Sequence, residues 1–291
     1  TLTHFWFKAW PDHGVPADIN GFKEFIRMVY NDIITVRGNT IIHCSAGVGR
    51  TGVVYVVLCL LFQFGINPAA DNWSHPCINI DSIIGEIENA RQSRMHMVQT
   101  FDQFLFICDN FGVPIPQANT PEMEALEVRF NNIPQTASGK TTTKANIPAN
   151  RPKNRYSNIL PYDDNIPFIQ PRPDHDNPNP TRYINASLAS CPNCRDSFIL
   201  AQCPHTSATI QDFRDMIMQR QVRRIIMLTG LVEKGRAKCN DYLNLVNEPK
   251  NISPFILMNT QTEAEIQMQK YTYPNISFRA IANSVGNSTN A

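Results

Sequence analysis

Cys44 and Arg50 stand six positions apart in the string His43-Cys44-Ser45-Ala46-Gly47-Val48-Gly49-Arg50-Thr51-Gly52. A thiol, small residues, a guanidinium and a hydroxyl at this spacing suit the capture of an oxyanion. Glycines let a loop curl until its backbone N–H groups converge on one point. The N–H groups of Ser45, Ala46, Gly47, Val48 and Gly49, with Arg50, would form that cradle, and phosphate is its natural ligand. The same groups favour a thiolate at Cys44, the candidate nucleophile. The planar fork of Arg50 can hold two phosphate oxygens at once, which a lysine cannot do. Thr51 can offer its hydroxyl to the sulfur when the sulfur must leave. The bland reading, an inert buried cysteine beside a helix turn, would satisfy a bare Cys-x5-Arg but not the full string.

Two elements must position this loop. Ile41-Ile42 reads as a buried strand, and the apolar run Val53 to Phe62 reads as a buried helix. The helix start adds the positive end of its dipole to the cradle. His43 reads as a packed, hydrogen-bonded supporter of the loop. Upstream, Phe5-Trp6-Phe7 reads as a strand, followed by the proline-bounded loop Trp10-Pro11-Asp12-His13-Gly14-Val15-Pro16. Asp12 alone would be a turn former. With the Cys44 loop downstream it is a candidate general acid, because cleaving a phosphate ester expels an alkoxide or phenoxide that a positioned proton stabilises. Asp18 can cap a helix with Phe22, Phe25, Ile26, Val29 and Tyr30 on its apolar face.

The 291 residues suffice for one large domain or two small ones. A hydrophobic content of 42%, charged content of 18% and net charge of +1 fit a globular protein with no bulk attraction to nucleic acid or membrane. No apolar run reaches the ~18 residues of a spanning helix. No signal peptide is read at the start, and opening on Thr1 rather than Met is what a fragment would show. The eight cysteines show no disulfide-framework spacing, and a nucleophilic thiol suits a reducing, cytoplasmic compartment. Cys191-Pro192-Asn193-Cys194 would need two further ligands to hold zinc, so a surface turn with two free thiols is expected. The remaining histidines form no evident ligand cluster, and neither metal nor organic cofactor is expected.

The Cys44 string resembles the signature of the protein tyrosine phosphatases, and most of the chain carries the resemblance. Trp10-Pro11-Asp12 is similar to the family's mobile acid loop, which closes over bound substrate. Residues 97–104 are similar to its glutamine loop. There Gln99 would position the water that hydrolyses a cysteinyl-phosphate, with Gln103 a second polar contact. Residues 153–163 resemble the phosphotyrosine-recognition loop, where Tyr156 would stack on the substrate ring and Asn158 would meet the peptide backbone. Stretches 182–187, 198–202, 212–216 and 225–229 follow as strand, strand, helix and strand. The resemblance pairs Glu233 with Arg50 and sets Lys238 near the acid loop. Beyond Pro249 it thins to matches such as residues 277–281.

The resemblance implies an α/β fold: a twisted mixed sheet flanked by helices, of the phosphatase II-like type with its Cys-x5-Arg loop. It also implies an inverted half order. Residues 1–112 match the C-terminal half of a phosphatase domain, and residues 154–291 match the N-terminal half of a second. Residues 113–153 form a linker whose stretch 135–144 reads as flexible. A piece of a receptor-type tandem phosphatase accounts for this order better than a circular permutant, because the linker resembles that of tandem receptors. Three departures stand out: Arg214 where the family has Trp, Cys203 for Gly, and Leu243-Asn244 for Trp-Pro. Arg214 is the expected misfit. The implied activity is hydrolysis of phosphotyrosine in proteins, with the parent a membrane receptor that this chain would serve in the cytoplasm. The rival readings are a silent phosphotyrosine-binding or scaffold module, and sulfur transfer by a rhodanese-like loop.

Overall fold

The computed structural model describes residues 2–8, 10–11, 14–70, 72–170 and 181–243, and the backbone of strands at 252–253, 256–257 and 266–273. The first part of the chain runs β1 (Leu2–Phe7), α1 (Ile19–Thr35), β2 (Asn39–His43), α2 (Gly49–Phe64), α3 (Ile80–Ser93) and α4 (Phe101–Asn110). Then come α5 (Pro121–Asn131), α6 (Thr143–Asn146), β3 (Ala186–Ser190), β4 (Ser197–Ala201), α7 (Ser207–Gln219) and β5 (Val222–Met227). A small hairpin of β6 (Val232–Glu233) and β7 (Arg236–Ala237) precedes β8 (Ile252–Ser253), β9 (Ile256–Leu257) and β10 (Ile266–Tyr273).

The main sheet has the order β3-β4-β2-β5-β1-β10-β8, with β9 paired to β10. Strands β4, β2, β5 and β1 are mutually parallel, while β3 and β10 join antiparallel. The sheet is therefore mixed. Alternation along each strand divides its two faces. Phe5, Phe7, Ile42, Phe198, Leu200 and Ile226 pack into one core with α1 to α4. Trp6, Ile41, Ile199, Ile225 and Met227 face the other way, onto Phe213, Met216 and Ile217 of α7.

Local chemistry explains the elements that hold the Cys44 loop. Asp18 caps α1 by accepting from the N–H groups of Asn20 and Gly21. Helix α2 is apolar on all sides and its residues from Gly49 to Phe62 are buried, as expected of a helix wedged between a sheet and other helices. Among the described residues no helix is long and apolar enough to cross a membrane.

Several expectations need correction. The stretch 182–187 is not one strand, since β3 begins at Ala186. Residues 135–144, expected to be flexible, are largely exposed yet anchored at the backbone N–H groups of Ala137, Thr143 and Lys144. Tyr162 Oη accepts from Ala137 N–H at 2.7 Å, and Asp163 accepts from the N–H groups of Thr143 and Lys144 at 2.9 and 2.8 Å. Cys191 lies in the core and not on the surface, at 5% exposure, although both it and Cys194 are free thiols. Arg214 is no misfit: it is buried, and its Nε donates to the Tyr242 carbonyl at 2.8 Å. Cys203 and Cys239 form a disulfide that spacing did not suggest. The match expected at residues 277–281 lies outside the described residues.

Candidate active site

Strand β2 delivers His43 and then Cys44 to its C-terminal end, beside β4 and β5. The His43 carbonyl accepts from Leu228 N–H at 2.9 Å, so β5 still holds the chain at the point where the loop begins. Cys44 is 6% exposed, and Gly47 N–H donates to its sulfur at 3.2 Å. The loop's tight curl needs its glycines. Gly47 has φ +76°, and a Cβ there would stand 2.1 Å from the Ala201 carbonyl oxygen. At Gly49 a Cβ would stand 2.8 Å from Gln99 Oε1 and 3.1 Å from Gln103 Nε2. Both glutamines therefore press against the loop that residues 45–50 form. Gln103 is buried and its Oε1 accepts from Gln99 N–H at 2.9 Å, so the two are bonded to each other.

The loop's carbonyls are held from outside it. Arg94, fully buried, donates from Nε to Gly47 O at 2.9 Å and from Nη2 to Ala46 O at 3.0 Å. Its Nη2 also donates to Asn185 Oδ1 at 2.8 Å. The Val48 carbonyl accepts from Gly52 N–H at 2.9 Å and Val98 N–H at 3.1 Å, which ties the loop to the Gln99 stretch. That stretch is itself held by Arg91, which donates to the carbonyls of Met97, Val98 and Ile133 at 3.0, 3.0 and 2.8 Å. Burial lowers both arginines to about 10, still far above neutrality, so both remain charged. Neither Arg91 nor Arg94 is singled out by a sequence motif. Their function depends on carbonyls that only the folded loop presents.

Arg50 is buried and pinned by Glu233. Its Nη1 donates to Glu233 Oε1 at 2.6 Å and its Nη2 to Oε2 at 2.9 Å, a two-pronged pair, while Nη1 also reaches Leu228 O at 2.9 Å. Glu233 accepts in addition from Gly230 N–H and Thr229 Oγ1, each at 2.9 Å. Burial alone would raise the Glu233 carboxyl, but its bonds to Arg50 and Gly230 outweigh it and hold the group below the ordinary range. The two residues are 183 positions apart in sequence.

Tyr156 is half-buried, and its hydroxyl lies 3.0 Å from Ser45 Oγ at the rim of the loop. Ser45 Oγ donates in turn to the Lys238 carbonyl at 3.2 Å. Lys238 thus meets the site through its backbone. His43 Nδ1 lies 3.2 Å from the Cys44 carbonyl, an acceptor, so Nδ1 carries the proton. Nε2 then accepts from the Tyr242 hydroxyl at 2.6 Å. Burial lowers His43 to about 4, so the ring is neutral, and both its nitrogens are already engaged in hydrogen bonds. The Thr51 hydroxyl is buried with no hydrogen-bond partner among the described residues, an orphan group in the first turn of α2. Asn158 is exposed. Asp12 lies outside the described residues.

A buried thiol in a glycine-curled loop, with a fork-held arginine behind it, is an arrangement able to hold an oxyanion against a nucleophile. The family model described as protein-tyrosine phosphatase matches residues 1–111 and 150–285. The chain belongs to the protein-tyrosine phosphatase family. The Lar-like tyrosine-protein phosphatase of Caenorhabditis elegans is 32% identical over 261 residues, covering 83% of this chain and 11% of that protein. Receptor-type tyrosine-protein phosphatase S of Gallus gallus is 32% identical over 265 residues, 83% of this chain and 16% of its own length. Receptor-type tyrosine-protein phosphatase alpha of Homo sapiens is 33% identical over 262 residues, 83% of this chain and 31% of its own length. The chain thus spans less than a third of each of these relatives. Both matched segments of the phosphatase model contribute to the site: Cys44, Arg50 and Gln99 come from the first, and Tyr156 and Glu233 from the second.

Proposed function

We propose that this chain hydrolyses phosphotyrosine in proteins through a cysteinyl-phosphate. The observation that carries the reading is the Cys44 loop itself, with Gly47 N–H 3.2 Å from Cys44 Sγ and Arg50 gripped at both nitrogens by Glu233. An anion seated over this loop meets N–H groups and a guanidinium that are already aimed, so little reorganisation opposes the reaction. Cys44 attacks phosphorus, a sulfur–phosphorus bond forms, and the bond to the tyrosyl oxygen breaks. Asp12, read from sequence alone, gives its proton to the leaving phenoxide. Water placed by Gln99, with Gln103 beside it, then cleaves the cysteinyl-phosphate. The orphaned Thr51 hydroxyl is available to the departing sulfur.

Tyr156 marks the entry as one for an aromatic substrate, and Asn158, exposed nearby in sequence, is placed to read peptide backbone. His43, Glu233 and Lys238 support the loop. The partners are phosphotyrosine-containing proteins. By the same reading the chain works in the cytoplasm, as part of a single-pass receptor like the relatives named receptor-type. The C-terminal half of a phosphatase domain preceding an N-terminal half accounts for the two matched segments. The silent-module alternative rests on Arg214 and on the lack of a second catalytic loop; of these, Arg214 is buried and bonded.

The test is release of phosphate from a phosphotyrosine peptide by the purified chain, against the matching phosphoserine peptide and the Cys44→Ser variant. Turnover of the first alone supports the reading. No turnover by the folded wild-type chain overturns it.

A further inference from the structure

His43, Cys203 and Cys239 come from three separate stretches and meet beneath the Cys44 loop. One ring nitrogen and two sulfurs lie within 4.8 Å of one another, and all three residues are buried. Among the described residues no other group of three or more His, Cys, Asp or Glu converges in this way. The two cysteines are bonded to each other, with Cα atoms 5.3 Å apart. We propose that, once this disulfide is reduced, Cys203, Cys239 and His43 form a buried site for a thiophilic divalent cation, zinc, and that zinc and the disulfide exclude one another.

The donor set has the right chemistry. Zinc takes thiolate sulfur at about 2.3 Å and imidazole nitrogen at about 2.0–2.1 Å, so ligand atoms on one ion stand no more than about 4.6 Å apart. The observed cluster, within 4.8 Å, reaches that spacing once reduction lets the two bonded sulfurs turn apart. The His43 tautomer is also set for it. Its Nδ1–H is committed to the Cys44 carbonyl at 3.2 Å, the outer-shell contact typical of metal-bound histidine, which leaves the Nε2 lone pair for the ion. The Tyr242 hydroxyl, 2.6 Å from Nε2, must give up that bond, and its oxygen is then at hand for the fourth position. Charge balances too. Two thiolates and one divalent cation sum to zero, so no net charge is buried.

The conversion balances. Two thiol molecules reduce the Cys203–Cys239 bond, giving two cysteine thiols and one external disulfide. Zinc then binds the two sulfurs as thiolates, releasing two protons. The site adjoins the loop without belonging to it. Cys203 N–H donates to Ser45 O at 3.0 Å, and the Lys238 carbonyl, one residue before Cys239, accepts from Ser45 Oγ at 3.2 Å. The ion would also join residues of both matched segments.

Cobalt(II) is the probe, because thiolate ligation gives an intense near-ultraviolet charge-transfer band. Every sample carries Cys44→Ser, so the loop thiol cannot contribute. The full chain, reduced with a phosphine and freed of it, should take up one equivalent of cobalt with that band, and zinc should bleach it. The oxidised chain of identical sequence, with the Cys203–Cys239 bond confirmed by peptide mapping, should show none. Cys239→Ser should weaken uptake by more than the roughly 10–100-fold typical of outer-shell changes, while Cys191→Ser should leave it unchanged. No band in the reduced chain overturns the proposal, as does a band that persists in the oxidised chain or survives Cys239→Ser. If Cys239→Ser does not fold, the reduced and oxidised chains still decide it.

Discussion

In the proposed mechanism Cys44 carries the chemistry and Glu233 the posture of Arg50, and the two can be separated by substitution. Cys44→Ser should abolish turnover yet leave binding of a phosphotyrosine peptide, because the N–H cradle and Arg50 survive. Isothermal titration alongside a phosphate-release assay checks both halves, and residual turnover would end the cysteine mechanism. Asp12→Ala should slow aryl phosphates with basic leaving groups far more than those with acidic ones, since general-acid help is worth roughly 10²–10⁴-fold where the leaving oxygen needs it. Equal losses across a leaving-group series would assign Asp12 to structure. Glu233→Gln keeps the shape and loses the charge opposite Arg50. A hydrogen bond to a charged group is worth about 1.5–3 kcal/mol, less here because Glu233 is only half-buried. The Glu233 carboxyl is held below its ordinary range, so its stabilisation is present above the unfolded-chain value and fades as pH falls through the folded one. Urea midpoints of variant and wild type should therefore differ at pH 7 and converge in acid.

Helix α3 buries charged residues on its inner face. It turns Ile83, Glu86, Ile87, Ala90 and Arg91 inward. Arg91 is answered by four carbonyls, but Glu86 is pushed up to about 7 by burial. The unfolded chain loses this proton near pH 4.5 while the folded chain keeps it to about 7. Stability should therefore decline across that window and level off above it. Glu86→Gln, which cannot ionise, should be more stable than wild type at pH 8 by an amount of order 3 kcal/mol, with little difference at pH 4. Equal unfolding midpoints at the two pH values would show that Glu86 ionises freely. Elements such as α1 and α2 were legible in the sequence because Asp18, the spacing of Phe22 to Val29 and the unbroken apolar run of α2 are local signals. The Cys44 loop was legible because glycines and Arg50 sit within a few residues of the thiol. Other features were not legible, for a common reason. Arg94 acts on carbonyls 47 and 48 positions away, the Cys203–Cys239 bond spans 36, and residues 135–144 find their partners in Tyr162 and Asp163. Each depends on neighbours that only folding supplies, so composition pointed the wrong way.

At the scale of the molecule, the two matched segments are interleaved rather than side by side. Strand β2 of the first lies between β4 and β5 of the second, and β5 lies between β2 and β1. Register fixes the contact: Ile41 faces Ile199 on one side and Ile225 on the other. A sheet built this way leaves neither segment a complete set of paired strands, since removing β2 would orphan backbone groups on both β4 and β5. Burial is shared as well. The core under α2 holds Phe198 and Leu200 from the second segment beside Ile42 and Val54 from the first. The intervening residues add little entropic cost, because loop closure grows only with the logarithm of length. Such a chain should unfold in one cooperative step. The sequence allows a clean measurement, because its three tryptophans, Trp6, Trp10 and Trp73, all fall in the first segment. Tryptophan fluorescence in urea reports that segment, and hydrogen exchange of the β4 and β5 amides reports the second. The two midpoints should coincide, and Ile41→Ala, which opens a cavity between strands of both segments, should lower them together, for a loss of stability of about 2–5 kcal/mol. Midpoints that part, with fluorescence shifting while β4 and β5 stay protected, would show two independent bodies and remove the physical basis for placing Glu233 and Arg50 in one working site.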